Sequence, residues 1–180
     1  MQNEDFRRQF VLTFLDMANE NFCPEQVSAL LDQLETQYAD QAALSWQRWN
    51  TVPWYDSFEE QIEALRIFFE NRFDSIVPAL AEHFELTGDL VDLTLSIQTA
   101  DADPESSSET DGGTVTLNTI TPDLSNGNWN GRYYTDYPIT LKAEPAKGYQ
   151  FAGWELENGN LISGDANEEE ILVQLQGNTE

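Results

Sequence analysis

Four kinds of residue in this chain are of a type that could do chemistry. Phosphoryl transfer needs a lysine for the phosphates, a Gly-rich or P-loop cradle and carboxylates for magnesium. The only lysines are Lys142 and Lys147, in a predicted strand and turn, where a solvated surface role is expected because phosphate sites need a helix N-terminus or a nest. His83, the one histidine, lies near the end of a predicted helix and reads as a surface or capping residue, since no nucleophile or orienting partner is suggested for a general base. Cys23, the one cysteine, precedes Pro24 at a predicted helix start; it reads as a small part-buried residue, although a helix N-terminus can lower a thiol pKa.

Two acidic groups could collect calcium: Asp101, Asp103 and Asp111, then Asp165, Glu168, Glu169 and Glu170. Neither has the spacing or the glycine of a D-x-D-x-D-G loop, so solvated acidic loops are expected. The aromatic residues Trp129, Tyr133, Tyr134, Tyr149 and Trp154 could form a platform for a sugar; packing of a small sheet is the competing use of such bulk. Trp129, Tyr133, Tyr134 and Trp154 are retained as the candidate ligand or partner surface. No residue is assigned a catalytic, cofactor-binding or metal-binding role.

The elements that would carry these residues emerge from periodicity. Apolar residues at Phe58, Ile62, Leu65, Phe69, Phe73, Ile76, Leu80 and Phe84 recur every three or four positions, one continuous helical face. Ser57 and Glu60 form an S-x-x-E capping box at its start, and Pro78 predicts a kink or a break into two helices. An earlier helix runs from Asp5 to Ala18 with Phe6, Phe10, Phe14 and Met17 on its face and Asp16 off it; Asn19-Glu20-Asn21 breaks the pattern. Pro24 fits the first position of a second helix bearing Val27, Leu30, Leu31, Leu34 and Tyr38, with Asp40 capping a further turn or two that carries Leu44, Trp46 and Trp49. Together these make a compact helical unit.

After Leu86 the period changes to two. Val91, Leu93, Leu95 and Ile97 predict a strand, as do Val115 and Leu117, Ile139 and Leu141, and Ile171, Val173 and Leu175. Ala100 to Gly113 offers nothing to bury and reads as a polar mobile loop. Residues 144–149 read as a hairpin turn with Gly148 left-handed, joining two strands so that Tyr149, Phe151 and Trp154 pack with Ile139 and Leu141. The fold class is therefore α+β: an N-terminal helical bundle over 1–87 and a small, mostly antiparallel β module over 88–180.

Charge bounds the partners. The net charge is -25 over 180 residues, with 18 acidic against 5 basic groups in residues 1–100 and 15 against 3 in 101–180. Eight scattered Lys and Arg cannot build the basic stripe that nucleic acid or an anionic membrane requires. No apolar run reaches the roughly 20 residues of a membrane span, and the polar start Met1-Gln2-Asn3-Glu4-Asp5 is no signal peptide.

Two stretches carry a resemblance, in order. Asp5-Phe6-Arg7-Arg8, Phe22-x-Pro24, Val27, Leu31-Asp32, Arg48-Trp49, Trp54 and Ile62-x-x-Leu65-x-x-Phe68-x-x-x-Arg72, within Asn3 to Leu86, resemble the C-terminal helical part of CotH kinase family proteins. Gly113-x-Val115, Gly131-x-Tyr133-Tyr134, Pro138-Ile139-x-Leu141-x-Ala143-x-Pro145 and Gly148-Tyr149-x-Phe151-x-Gly153-Trp154 look like the divergent InlB B-repeat, a small bacterial surface module. The first resemblance implies an atypical protein kinase of spore coat proteins that uses ATP and a divalent metal. Its nucleotide-binding lysine and metal-binding aspartates lie, in that family, before the helices matched here, so none is carried onto this sequence. The resemblance therefore implies a noncatalytic C-terminal fragment. Its helical part would support a kinase core upstream in the same polypeptide, and its β module would serve as a spacer or protein-interaction surface.

The resemblance further implies coat or cell-surface proteins as partners, and a spore-coat or cell-surface location. No cofactor is expected in this chain. The alternative is a carbohydrate or cell-wall binding module. Cut from a larger fold, the helices are expected to leave an apolar face near Phe6, Phe10 and Phe14, or near Trp46 and Trp49, through which the chain could self-associate.

Overall fold

The computed structural model describes residues 3–49, 57–99 and 112–177. It contains four helices, α1 (Glu4–Asn19), α2 (Pro24–Trp49), α3 (Phe58–Glu70) and α4 (Arg72–Phe84), followed by six strands. These are β1 (Leu90–Ser96), β2 (Gly113–Leu117), β3 (Asn128–Tyr134), β4 (Ile139–Pro145), β5 (Gly159–Ser163) and β6 (Glu170–Leu175). The architecture is α+β. β1 and β3 form one antiparallel sheet, and the order β2-β4-β6-β5 forms a second, also antiparallel. Trp54 and the polar residues 100–111, with Asp101, Asp103 and Asp111, lie outside the described residues.

Local chemistry explains the helix ends. Asn3 caps α1 by accepting from the Phe6 N–H at 3.1 Å, and Ser57 Oγ caps α3 by accepting from the Glu60 N–H at 3.1 Å. Pro24 stands at the first position of α2, where a missing N–H costs nothing. α2 then runs on without interruption to Trp49, so Asp40 lies inside the helix and caps no separate turn. The break expected at Pro78 falls instead at Asn71. That residue leaves helical geometry at φ -100 and ψ -1, and its side-chain amide donates to the Ile67 carbonyl at 2.8 Å, satisfying an acceptor at the helix end. Pro78 remains within α4.

Contacts divide the chain into two compact units, residues 21–79 and residues 1–20 with 80–180. In the first, α2 packs on α3 around Val27, Leu31 and Ile62, with Leu34, Phe58 and Phe69 against them. Arg66 of α3 ties the pair. Its guanidinium donates to Ser28 Oγ and to the Ser28 carbonyl, and bonds Asp32 Oδ1 at 2.5 Å. Leu65 of the expected stripe stays 44% exposed beside exposed Ile67 and Phe68.

The second unit holds both sheets together with α1 and the end of α4. Of the helices expected to form one unit over residues 1–87, α2, α3 and most of α4 stay together, while α1 packs against β3. Phe10 of α1 also meets Phe84 at 5.3 Å between ring centres. β1 and β3 bury one face, with Val91 opposite Tyr133 and Leu95 opposite Trp129. In the larger sheet Leu117, Ile139, Leu141, Ile171 and Val173 are buried. Gly88 lies where a Cβ would come within 2.6 Å of the Asp136 carboxylate. That closeness lets Asp136 accept from the Thr87 and Gly88 N–H groups at 2.8 and 2.9 Å, pinning the start of β1 to the end of β3.

Two expectations for the sheet change. The turn after β4 is not a hairpin: Gly148 does adopt a positive φ of 100°, but β4 pairs with β2 and β6. Phe151 and Trp154 pair with each other at 5.4 Å, and Trp154 is held by the Ala166 and Glu168 carbonyls. β3 and β5 form where alternation of aliphatic residues gives no sign of strands.

Because β1 is the partner of β3, a chain starting at Gly112 loses buried Val91 and Leu95, at about 1.5 kcal/mol or more each. It is expected to melt roughly 10 °C or more below a chain starting at Gly88. Because both lack α1, both are expected to melt below the full chain. Circular-dichroism melts of the three proteins check the order, and equal midpoints for the first two would remove β1 from the β module's core.

Candidate functional site

Asp16 of α1 is a fully buried carboxylate held by four hydrogen bonds. Its Oδ1 accepts from the Tyr133 hydroxyl at 2.8 Å and from Asn118 Nδ2 at 3.1 Å. Its Oδ2 accepts from the Thr119 N–H at 3.0 Å and from the Thr119 hydroxyl at 2.6 Å. A carboxylate removed from water is tolerable only with its lone pairs filled, and here four donors fill them. Helical patterning puts Asp16 off the apolar face. The structure places it on the buried side, next to Leu15, because β3 and the turn after β2 supply a polar lining.

The next residues extend the seam. Asn19 Nδ2 donates to the Arg132 carbonyl at 2.9 Å while Asn19 Oδ1 accepts from the Arg132 N–H at 2.9 Å. The side-chain amide thus imitates a neighbouring strand on the outer edge of β3. Glu20 Oε2 accepts from Trp129 Nε1 at 2.8 Å. Asn19 and Glu20, which sequence patterning reads as the break after the first helix, form with Asp16 the docking end of α1. Only polarity at spacing i, i+3, i+4 on the side of Leu15 and Ala18 hinted at it.

Asn118 completes the turn side. It adopts φ 47, a left-handed geometry asparagine tolerates, and its Oδ1 accepts from the Thr140 N–H at 2.9 Å. One residue therefore joins β4 to Asp16.

The four candidate surface residues are not brought together. Trp129 and Tyr133 are buried on β3, at 9% and 0% exposure, and bonded to α1. Tyr134, the next residue of β3, is half-buried, and Trp154 lies half-buried beyond β4. Tyr149 is the exposed member of the aromatic set. Lys142 is exposed and bonded to Glu144 Oε1 at 2.6 Å, a contact that pushes its ammonium pKa up; Lys147 is exposed in the turn. His83 is exposed and meets Phe84 edge to face, and Cys23 is a part-buried thiol.

Asp165 accepts from the Asn167 N–H and side-chain amide at 2.9 and 2.7 Å, which hold its carboxyl below the ordinary value. Among the described residues no group of three or more His, Cys, Asp and Glu is placed to hold a metal ion. A shallow cleft of about 230 Å³ lies between α2 and α3, lined by Pro24, Val27, Ser28, Arg66 and Phe69. Its one cation is already engaged with Ser28 and Asp32.

Asp16→Ala would strand the Tyr133 hydroxyl and the Thr119 N–H without their acceptor. At about 1–3 kcal/mol for each buried orphan, a loss of about 3 kcal/mol in urea unfolding is expected. Tyr133 gives a pH signature as well. Burial first, and then the Asp16 charge beside it, push its phenol above the ordinary value of 10.0. A raised folded-state pKa favours the protonated fold, so its contribution is complete below pH 10.0 and is lost as pH rises beyond it. Melts between neutral pH and pH 11 are expected to show a steeper alkaline fall for the wild type than for Tyr133→Phe.

Among the described residues no helix is long and apolar enough to cross a membrane. No curated protein and no solved structure matches the chain. Residues 1–76 match the family described as CotH kinase protein, and residues 106–180 match the divergent InlB B-repeat domain. The seam around Asp16 joins them, Asp16 and Asn19 coming from the first segment and Asn118, Arg132 and Tyr133 from the second. The chain thus carries a CotH kinase segment followed by a divergent InlB B-repeat domain.

Proposed function

We propose that this chain is a noncatalytic part of a CotH-like atypical protein kinase, its helices supporting a kinase core elsewhere in the parent polypeptide and its β module acting as a spacer or protein-interaction surface. The observation that carries this reading is the distribution of lysine. Residues 1–76, the CotH segment, contain none, and the two in the chain lie in β4 and the turn after it. A kinase-type phosphoryl-transfer site uses a lysine on the nucleotide phosphates. Arg66 is committed to Ser28 and Asp32, and Lys142 to Glu144. ATP and a divalent metal then belong to the parent protein's core.

The spacer role is supported by the seam. With Trp129 and Tyr133 spent on holding α1, two of the five aromatic residues that could form a carbohydrate platform are closed to a ligand. The family assignments favour coat or cell-surface proteins as partners and a spore-coat or cell-surface location. Exposed Phe6 and Phe10, successive along α1 with tilted rings 6.4 Å apart, offer an apolar face for self-association.

Calorimetry with ATP and Mg²⁺ or Mn²⁺ tests the reading. No heat of binding is expected up to millimolar nucleotide, about the weakest affinity of consequence. Micromolar binding would place a nucleotide site inside this chain and overturn it.

A further inference from the structure

Three Asn-Gly pairs occur in the chain, Asn126-Gly127, Asn130-Gly131 and Asn158-Gly159. In such a pair the glycine nitrogen, unhindered by a side chain, can attack the asparagine side-chain carbonyl. Whether it does depends on what that nitrogen is already bonded to, and the fold treats the three differently.

The Gly127 N–H donates to the Leu124 carbonyl at 2.9 Å. Gly131 lies opposite Leu93 in the β1–β3 ladder. Since Arg132 turns both its N–H and its carbonyl to Asn19, the groups of the adjacent Gly131 point the other way, to β1. Asn158 is the contrary case. Its carbonyl accepts from the Gln176 N–H at 3.1 Å. No peptide bond described is cis, and in a planar trans peptide the carbonyl and the following N–H point in opposite directions. The Gly159 N–H therefore faces away from β6. Because β5 ends the order β2-β4-β6-β5, it faces off the open edge of the sheet. Asn158 itself is exposed, at the turn entering β5.

We infer that Asn158 is a site of spontaneous deamidation, selected over Asn126 and Asn130 by the fold. The Gly159 nitrogen bonds to Asn158 Cγ and the Cγ–NH₂ bond breaks. Ammonia leaves, carrying the proton lost by the Gly159 nitrogen, and a five-membered succinimide remains. One water then opens the ring at either carbonyl, giving aspartate or isoaspartate.

The second product has a structural effect here. Isoaspartate adds a main-chain methylene directly before β5, so the Asn158–Gln176 bond and the Leu161–Val173 pairing cannot both be kept. A strand with every residue from 160 to 163 exposed has little burial to resist release. The modification thus loosens the edge strand and uncovers Val173 and Leu175, while adding one negative charge.

The test is to incubate the full chain folded, in mildly alkaline buffer, and in parallel in denaturing urea, tracking the three sites by peptide mapping and isoaspartyl methyltransferase labelling. In urea the three should convert at similar rates. In the folded chain Asn158 should lead by roughly fivefold or more, the factor a broken amide hydrogen bond carries. Amide exchange at Gln176 should quicken in the modified fraction. Equal folded rates, or a lead by Asn126 or Asn130, would overturn the inference.

Discussion

A buried carboxylate that must keep four hydrogen bonds sets the geometry of the larger unit. Asp16 can be dry only while the Tyr133 hydroxyl, the Asn118 amide and the Thr119 N–H and hydroxyl converge on it. Tyr133 comes from β3, and Asn118 and Thr119 from the turn after β2. The site therefore exists only when the small sheet, the large sheet and α1 are all in place. Apolar packing of Val11, Leu15 and Ala18 would tolerate some sliding of the helix. A network with directional donors does not, and removing one member leaves the others unsatisfied in a low dielectric.

That constraint separates ancestry from packing. The matched segments end and begin at residues 76 and 106, whereas the compact units exchange α1 across that division and cut α4 near Leu80. A helix of the CotH segment has become part of the core of the β module. The cause lies in β3, whose buried face, Trp129, Gly131 and Tyr133, is aromatic with a gap. A Cβ at Gly131 would stand 2.3 Å from the Trp129 ring, so the indole occupies the space that a side chain at 131 would take, and Glu20 at the end of α1 accepts its N–H.

The features legible in the sequence are those fixed by local chemistry or simple periodicity. The Ser57 cap, Pro24 at a helix start, and β1, β2, β4 and β6 with their aliphatic alternation all form. The features that were not legible depend on partners far along the chain. Asn128-Trp129-Asn130-Gly131-Arg132-Tyr133-Tyr134 has no aliphatic residue and becomes a strand because β1 lies beside it and α1 covers it. Gly159 to Ser163 becomes one because β6 already stands at the sheet's end. The helix break falls at Asn71, whose side-chain amide bonds the Ile67 carbonyl, while Pro78 is carried inside α4; the apolar periodicity runs through both positions and does not mark which one breaks the helix. In the candidate surface, aromatic composition was visible but its burial was not, since Glu20 and Asp16, the groups that consume Trp129 and Tyr133, lie more than 100 residues away.

The two sheets also solve the problem of their edges unequally. Beside β3, the Asn19 amide bonds the Arg132 N–H and carbonyl as a strand would, so a side chain closes the edge where pairing with another chain could begin. β5 has no such cover among the described residues, and Gly-Asn-Leu-Ile-Ser carries neither the charge nor the proline that commonly blunts an edge. Its protection is geometric. The strand is five residues long, and a register shift between Leu161 and Ser163 interrupts its ladder, so a neighbour adding to the outer edge would find only Gly159 and Leu161 in line before the bulge turned the backbone. Brevity and a bulge thus do for β5 what Asn19 does for β3, but they do it by withholding order rather than by supplying bonds.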